Sequence, residues 1–222
     1  MAALVLVTGM AFEAGIAAGA GVEVLYGLRG AALAQALAAR LRLPCDGVIS
    51  FGVAGGLAPS LPPGAVLVAA RIVHEGRGID TDPAWSAAIR LALPAASVGI
   101  LAGVDAAVAG VADKQALHLG SGALAVDMES HLAARAAQAA QLPFAACRIV
   151  LDPAGRALPP AALVALGPDG RTDLGALLRA LAADPRQLGG LLQLGRDAAA
   201  ARAVLKTTRK LLGRRFALPA PG

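Results

Sequence analysis

Aromatic residues are scarce in this chain: four Phe, one Trp and one Tyr among 222 residues. So few flat side chains leave no stacking platform for single-stranded nucleic acid, and no nucleic-acid partner is expected. Cysteine is nearly absent. Cys45 and Cys147 lack CxxC spacing, which argues against a disulfide framework and a cysteine zinc site. Both read as reduced core residues of a cytoplasmic protein. The three histidines, His74, His118 and His131, show no metal-ligand spacing, so no metal is expected. Neither GxGxxG nor a P-loop is present, which excludes a standard dinucleotide or ATP site, and no Ser/His/Asp order is compelling. The N-terminus has no basic region ahead of Leu4–Thr8 and reads as a buried first strand, not a signal peptide. No apolar run reaches about 18 residues; Leu91 to Val104 comes nearest but is Ala/Gly-rich and contains Pro94.

What is present is a hydrophobic chain, 57% apolar and 16% charged, which argues against disorder. The net charge of +5 is unevenly placed. From Arg196 onward seven basic residues face Asp197 alone, so the tail carries +6 and residues 1–195 carry −1. The basicity belongs to the C-terminus and says nothing about the main body.

Short apolar runs alternate with helical spacing through the first two thirds. Strands are predicted at Leu4–Thr8, Val22–Tyr26, Gly47–Phe51, Ala65–Val73, Val98–Val104, Leu124–Met128 and Phe144–Val150. Helices are predicted at Ala31–Leu41, Pro83–Leu91 and Glu129–Gln141. This is an α/β domain with a mixed, largely parallel sheet flanked by helices. The domain is expected to span 1–158. Residues 159–222 read as a helical C-terminal extension packed on it, with helices at Asp173–Ala183, capped by Thr172, and at Leu188–Leu212.

The segment Ala125-Val126-Asp127-Met128-Glu129-Ser130, followed after one helix by Arg148-Ile149-Val150-Leu151-Asp152, carries the chemistry. It sets Glu129 and Asp152 at two strand ends, where α/β sheets bind ligands. A carboxyl at the end of an apolar strand is partly desolvated, its pKa rises, and it can serve as a general acid. Strand alternation puts Asp127 and Glu129 on one side and Met128 on the other. Upstream, Ser50-Phe51-Gly52-Val53-Ala54-Gly55-Gly56-Leu57 reads as a strand opening into a glycine loop. Its N–H groups are free to approach a phosphate or sugar oxygen. Glu13 follows Gly9 in the first turn. His74, beside Glu75 and Arg77, and Asp105 are further candidates.

These four pieces, in this order, resemble the purine nucleosidase/nucleoside phosphorylase superfamily, and most closely its hopanoid-associated branch. The resemblance covers roughly residues 3–152. The hopanoid likeness extends through Leu158-Pro159-Pro160 and Pro168-Asp169-Gly170 into the tail. It implies that Glu13 activates the attacking water, Met128 and Glu129 hold the ribose, and Asp152 protonates the leaving adenine. Ser50, Gly52 and Val53 would belong to the substrate site. No cofactor is implied, though phosphate is an alternative co-substrate, with Arg29 and Arg71 as contributors to its pocket. A homodimer or higher homo-oligomer is expected.

The chain departs from the family at three places. Val53 stands where small nucleosidases carry a hydroxyl. Leu151 stands where Ser is common. The stretch Asp105-Ala106-Ala107-Val108 lacks the aromatic that stacks on the purine in many relatives. The resemblance thus implies cleavage of the N-glycosidic bond of adenosylhopane, a lipid-linked adenosyl substrate. Its alternatives are a soluble purine nucleoside such as methylthioadenosine, or a catalytically silent membrane-associated binding protein. Wound at 100° per residue, 194–215 gather Leu and Ala on one side and Arg and Lys on the other. Peripheral contact of that basic face with the inner membrane surface is the corresponding expectation.

Overall fold

The computed structural model describes residues 3–167 and 169–220; Met1, Ala2, Pro168 of the Pro168-Asp169-Gly170 segment and the final Pro221-Gly222 lie outside them. Eight strands form one sheet: β1 (Ala3–Thr8), β2 (Val22–Tyr26), β3 (Cys45–Gly56), β4 (Val66–His74), β5 (Arg77–Asp80), β6 (Ser97–Gly103), β7 (Ala123–Asp127) and β8 (Phe144–Asp152). The helices are α1 (Ala11–Ala17), α2 (Gly30–Arg40), α3 (Pro83–Ala92), α4 (Val111–Ser121), α5 (Ser130–Ala139), α6 (Pro160–Val164), α7 (Leu174–Ala183) and α8 (Leu188–Leu211).

The sheet is mixed and largely parallel, as its alternating pattern predicts. β1 pairs in parallel with β2 and β3, β3 with β8, and β6 with β4 and β7. β8 also pairs antiparallel with β4, and β3 antiparallel with β7 through Gly55 and Gly56. These pairings close β3, β8, β4, β6 and β7 into a ring. The closure corrects one expectation: Gly52–Gly56 is not a loop. β3 runs on to Gly56 because β8 supports it on one side as far as Asp152 and β7 takes its last two residues on the other.

Two further boundaries differ for local reasons. The segment after Gly9 is not a simple turn but enters α1 directly, with Glu13 in its first turn. The cap of α7 is Asp173, not Thr172: its carboxylate accepts the Ala176 N–H at 2.9 Å. α4 went unread in the sequence, since its short apolar spacing is diluted by Asp113, Lys114, Gln115 and His118. It ends at Gly122, whose φ of +68° supplies the left-handed turn.

The C-terminal helix is bound to the body. Ala201 and Leu205 of α8, with Leu212 and Phe216 beyond it, share a buried cluster with Leu4, Ile49, Phe51 and Trp85. Trp85 Nε1 donates to the Phe216 carbonyl at 2.8 Å. Cys147 lies in the same cluster, and burial pushes its thiol up to about 12, leaving it inert. Among the described residues, no helix is long and apolar enough to cross a membrane.

Candidate active site

A cavity of about 400 Å³ opens at the carboxyl ends of β3, β7 and β8 and beside the turn after β1. Glu13, Met128, Glu129 and Asp152 all line it, as do Arg29 and Val53. The four strand-end pieces read in the sequence therefore converge on one space.

Glu13 is buried and held from three directions. Oε2 accepts from the Thr8 hydroxyl at 2.5 Å and from the Met10 N–H at 2.7 Å; Oε1 accepts from the Val53 N–H at 2.6 Å. The Val53 amide is therefore engaged by Glu13, not free for phosphate. This also fixes the role of Gly52. A Cβ there would lie 2.6 Å from Glu13 Oε1 and 2.8 Å from both Arg148 Nη1 and Thr8 Oγ1. Gly52 is a packing requirement behind the cavity wall and does not line the cavity. Ser50 also stands behind it, wholly buried, with its hydroxyl accepting from Arg148 Nη2 at 2.5 Å.

Arg148 organises the floor of the site. The guanidinium is 1% exposed and has three carboxylates around it. Nε lies 2.7 Å from Asp127 Oδ2, an ion pair not aligned as a hydrogen bond. Nη2 donates to Glu129 Oε2 at 3.4 Å and Nη1 to the Val53 carbonyl at 3.3 Å. Asp127 Oδ1 accepts the Ser130 N–H at 2.9 Å, and its other oxygen accepts the Ser130 hydroxyl. Asp127 thus starts α5 and steadies Arg148. Glu129 occupies the N-cap position, with φ −121° and ψ −33°, so strand alternation stops at Asp127. That is why Met128 and Glu129 both reach the cavity when alternation predicted opposite sides.

Burial raises the Glu129 carboxyl to about 7; Arg148 opposes the shift, and Asp127 and Glu13 reinforce it. Gly9 leaves room for this side chain, since a Cβ there would lie 2.7 Å from Glu129 Oε1. Asp152 sits across the cavity, 4% exposed. Burial raises its carboxyl from the ordinary value, against the pull of a neighbour the sequence reading missed. That neighbour is Lys114 of α4, wholly buried, whose ammonium pairs with Asp152 Oδ2. It also donates to the carbonyls of Pro153 at 3.1 Å and Arg156 at 2.8 Å. A single lysine in a short polar helix gives no sequence signal of burial.

Three expected contributors stand elsewhere. Arg71 faces solvent on β4 and pairs with Asp80 at 2.7 Å, because the β4–β5 hairpin turns it away from the cavity. His74 and Asp105 lie against His131, outside the cavity lining. Arg29 does reach the cavity; its Nη2 donates to Gly167 at 3.4 Å while its buried Nε has no hydrogen-bond partner.

The remaining walls are apolar. Val104, Ala107 and Val108 form one side where an aromatic was missed in the sequence. Leu177 of α7 and Leu191, Leu194 and Ala198 of α8 form the roof.

Chemically, three carboxylates around one guanidinium leave an excess of negative charge at the floor. Such a site favours a sugar that becomes cationic as its bond to a base breaks. A second, partly desolvated acid across the cavity matches the need to protonate the departing base.

Comparison with known proteins gives the chain's family and the relatives of its fold. The sequence model of the Phosphorylase superfamily matches residues 5–183. No curated protein sequence matches the chain. Among solved structures, the S-adenosylhomocysteine nucleosidase of Streptococcus pyogenes, in complex with 5-methylthiotubericidin, is similar. It has 20% identity, a TM-score of 0.65, and coverage of 99% of this chain and 98% of that one. The 5′-methylthioadenosine/S-adenosylhomocysteine nucleosidase of Neisseria meningitidis, in complex with methylthio-immucillin-A, has 18% identity and a TM-score of 0.65. Coverage there is 94% of this chain and 98% of that one. Futalosine hydrolase of Helicobacter pylori has 20% identity and a TM-score of 0.60, with coverage of 68% and 88%. These likenesses are of fold. With the family match spanning most of its length, the chain belongs to the Phosphorylase superfamily.

Proposed function

We propose that this enzyme cleaves the N-glycosidic bond of an adenosyl group whose 5′ substituent is large and apolar, adenosylhopane being the substrate the sequence resemblance implies. The observation that carries the reading is the roof of the cavity. Glu13, Glu129 and Asp152 supply the acidic groups of the cavity, while Leu177, Leu191, Leu194 and Ala198 cover it with hydrocarbon. An adenosine with a hydrocarbon at its 5′ position has the same division of character. In this assignment Asp152 protonates the leaving base, Glu129 accepts from the ribose hydroxyls, and Glu13 receives a proton from water. Arg29, at the cavity wall, is placed to meet phosphate should phosphate attack instead. The product is then ribosyl- or phosphoribosyl-hopane, with adenine released.

The same helices support contact with a bilayer. Leu174 and Leu178 of α7 and Leu188 and Leu192 of α8 are exposed on the cap whose Leu177 and Leu191 line the cavity. The basic half of α8 contributes less than its helical wheel suggests. Arg202 lies over the Phe12 ring, and Arg209 covers Phe216 while donating to the Ala17 carbonyl at 3.1 Å. Lys206, Lys210 and Arg214 remain exposed for anionic headgroups. Of the apolar stripe, Ala201, Val204, Leu205 and Leu212 pack on the core, Leu194 and Ala198 line the cavity, and Leu211 is exposed.

The test is incubation with adenosylhopane or methylthioadenosine, with and without phosphate, followed by product mass. The reading expects adenine release with a higher kcat/KM for adenosylhopane. A preference for methylthioadenosine would favour the soluble nucleoside, and no release from either would favour the silent binding protein.

A further inference from the structure

We propose that His74, Asp105 and His131 form a binding site for a divalent transition-metal ion of the zinc class, separate from the cavity and fastening one of its walls. His74 ends β4, Asp105 lies in the segment after β6, and His131 is the second residue of α5. One donor atom from each lies within 4.8 Å of the other two. Helical or hairpin spacing could not reveal this trio, because its members come from three separate segments.

The hydrogen bonds around the trio leave room for a cation. His74 Nδ1 is 2.9 Å from the Gly103 carbonyl. A carbonyl only accepts, so the Nδ1 proton points there and neutral His74 keeps a lone pair on Nε2. Metal-binding imidazoles are oriented by such a bond from the other ring nitrogen. That Nε2 faces the Glu75 carboxylate at 3.8 Å, an acceptor opposite an acceptor, an arrangement a cation would relieve. His131 Nε2 lies 3.2 Å from Asp105 Oδ1, which only accepts, so without an ion the Nε2 proton points there and the buried Nδ1 keeps an unpartnered lone pair; an ion between the two would take the place of that proton. The two imidazoles stack with centroids 4.2 Å apart.

The turn adds a second observation. Glu75 has φ +49° and Gly76 φ +75°, joining β4 to β5. A two-residue turn with both φ positive favours Asn-Gly, so Glu in the first place is strained. The exposed Glu75 carboxylate lies beside His74 but outside the trio whose donor atoms gather within 4.8 Å. Two imidazoles with one carboxylate suit Zn²⁺, Co²⁺ or Ni²⁺ and not the all-oxygen ions Mg²⁺ and Ca²⁺.

The consequence is mechanical. Val104, Ala107 and Val108, on both sides of Asp105, wall the cavity. An ion held by His74 and His131 would tie this exposed segment to β4 and α5. The inference does not depend on the identity of the substrate.

The experiment uses untagged, chelator-treated protein titrated with Co²⁺ and followed by its visible absorption, then by competition with Zn²⁺. One equivalent should bind with nitrogen-ligand bands and be displaced by Zn²⁺ but not by Mg²⁺. His74→Gln and Asp105→Asn should each weaken binding at least ~10-fold, the loss expected even for a partner one bond removed from the ion. His118→Gln should leave it unchanged, because that ring lies elsewhere, bonded to the Ala123 carbonyl. Amide exchange across 104–109 should slow on Zn²⁺ addition. No stoichiometric Co²⁺ binding to the wild type would overturn the proposal. So would equal binding by a folded Asp105→Asn, whose side chain is exposed and whose folding is readily checked.

Discussion

Replacing Lys114 by Gln tests the least visible part of the site. The Lys114 ammonium is wholly buried and touches Asp152 and two carbonyls. Gln keeps an amide able to serve a carbonyl but removes the charge that opposes the rise of the Asp152 pKa. An opposite charge at this range is worth ~1–3 pKa units, or about 1.4–4 kcal/mol. If protonated Asp152 is the acid, the alkaline limb of kcat/KM against pH should move up by about that amount. Stability should change with a defined sign. The folded-state pKa of Asp152 already lies above its ordinary 3.8. Its contribution is therefore complete below that value and is lost as pH rises through the folded pKa. In the variant the folded pKa is higher still. The deficit in Tm should thus be small near pH 4 and grow toward pH 8, where breaking a buried pair costs ~3–5 kcal/mol. The assays are a pH-rate profile and thermal unfolding at several pH values. An unmoved alkaline limb, with a Tm deficit independent of pH, would refute the reasoning.

Glu129 must be ionised to accept from ribose hydroxyls, so kcat/KM should rise with pH through about 7. Glu129→Gln should lower kcat and kcat/KM together and abolish that limb. Because the folded pKa is raised, this group's stability contribution is present below its ordinary 4.5 and is lost as pH rises to about 7; the variant should gain most in relative Tm at pH 8. Gly52→Ala should destabilise by ~1–3 kcal/mol, since the added methyl meets Glu13, Arg148 and Thr8, and denaturant unfolding measures it. Glu13→Gln should stop hydrolysis while leaving any phosphate-dependent release measurable, which separates the two nucleophiles by product mass.

The sequence made the strand-end acids visible because each closes an apolar run and starts a turn or helix. Glu129 and Asp152 could be read that way without any contact information. Arg148 was seen as part of its segment, but nothing local showed that its side chain would gather Asp127, Glu129 and Ser50 from two other parts of the chain. Lys114 was illegible for the same reason: burial of a lone lysine is decided by what α4 packs against. The glycines after Phe51 suggested a loop, and only the two-sided pairing of β3 shows why they stay extended. Arg71 failed as a site residue because a hairpin's facing direction depends on register. Helical winding put Ala201 and Leu205 on the buried side of α8, but Leu211 of the same stripe is exposed, and winding could not tell that Asp197 and Thr208 would be buried or that Arg202 and Arg209 would lie over Phe12 and Phe216.

The most direct measurement is the rate of adenine release by Asp152→Asn under single-turnover conditions with an adenosyl substrate. The amide keeps the shape of the side chain but cannot supply the proton. Release at least ~100-fold slower than wild type, with substrate binding retained, is the predicted result. Adenine release at close to the wild-type rate would contradict the assignment of Asp152 as the acid and, with it, the account of the site.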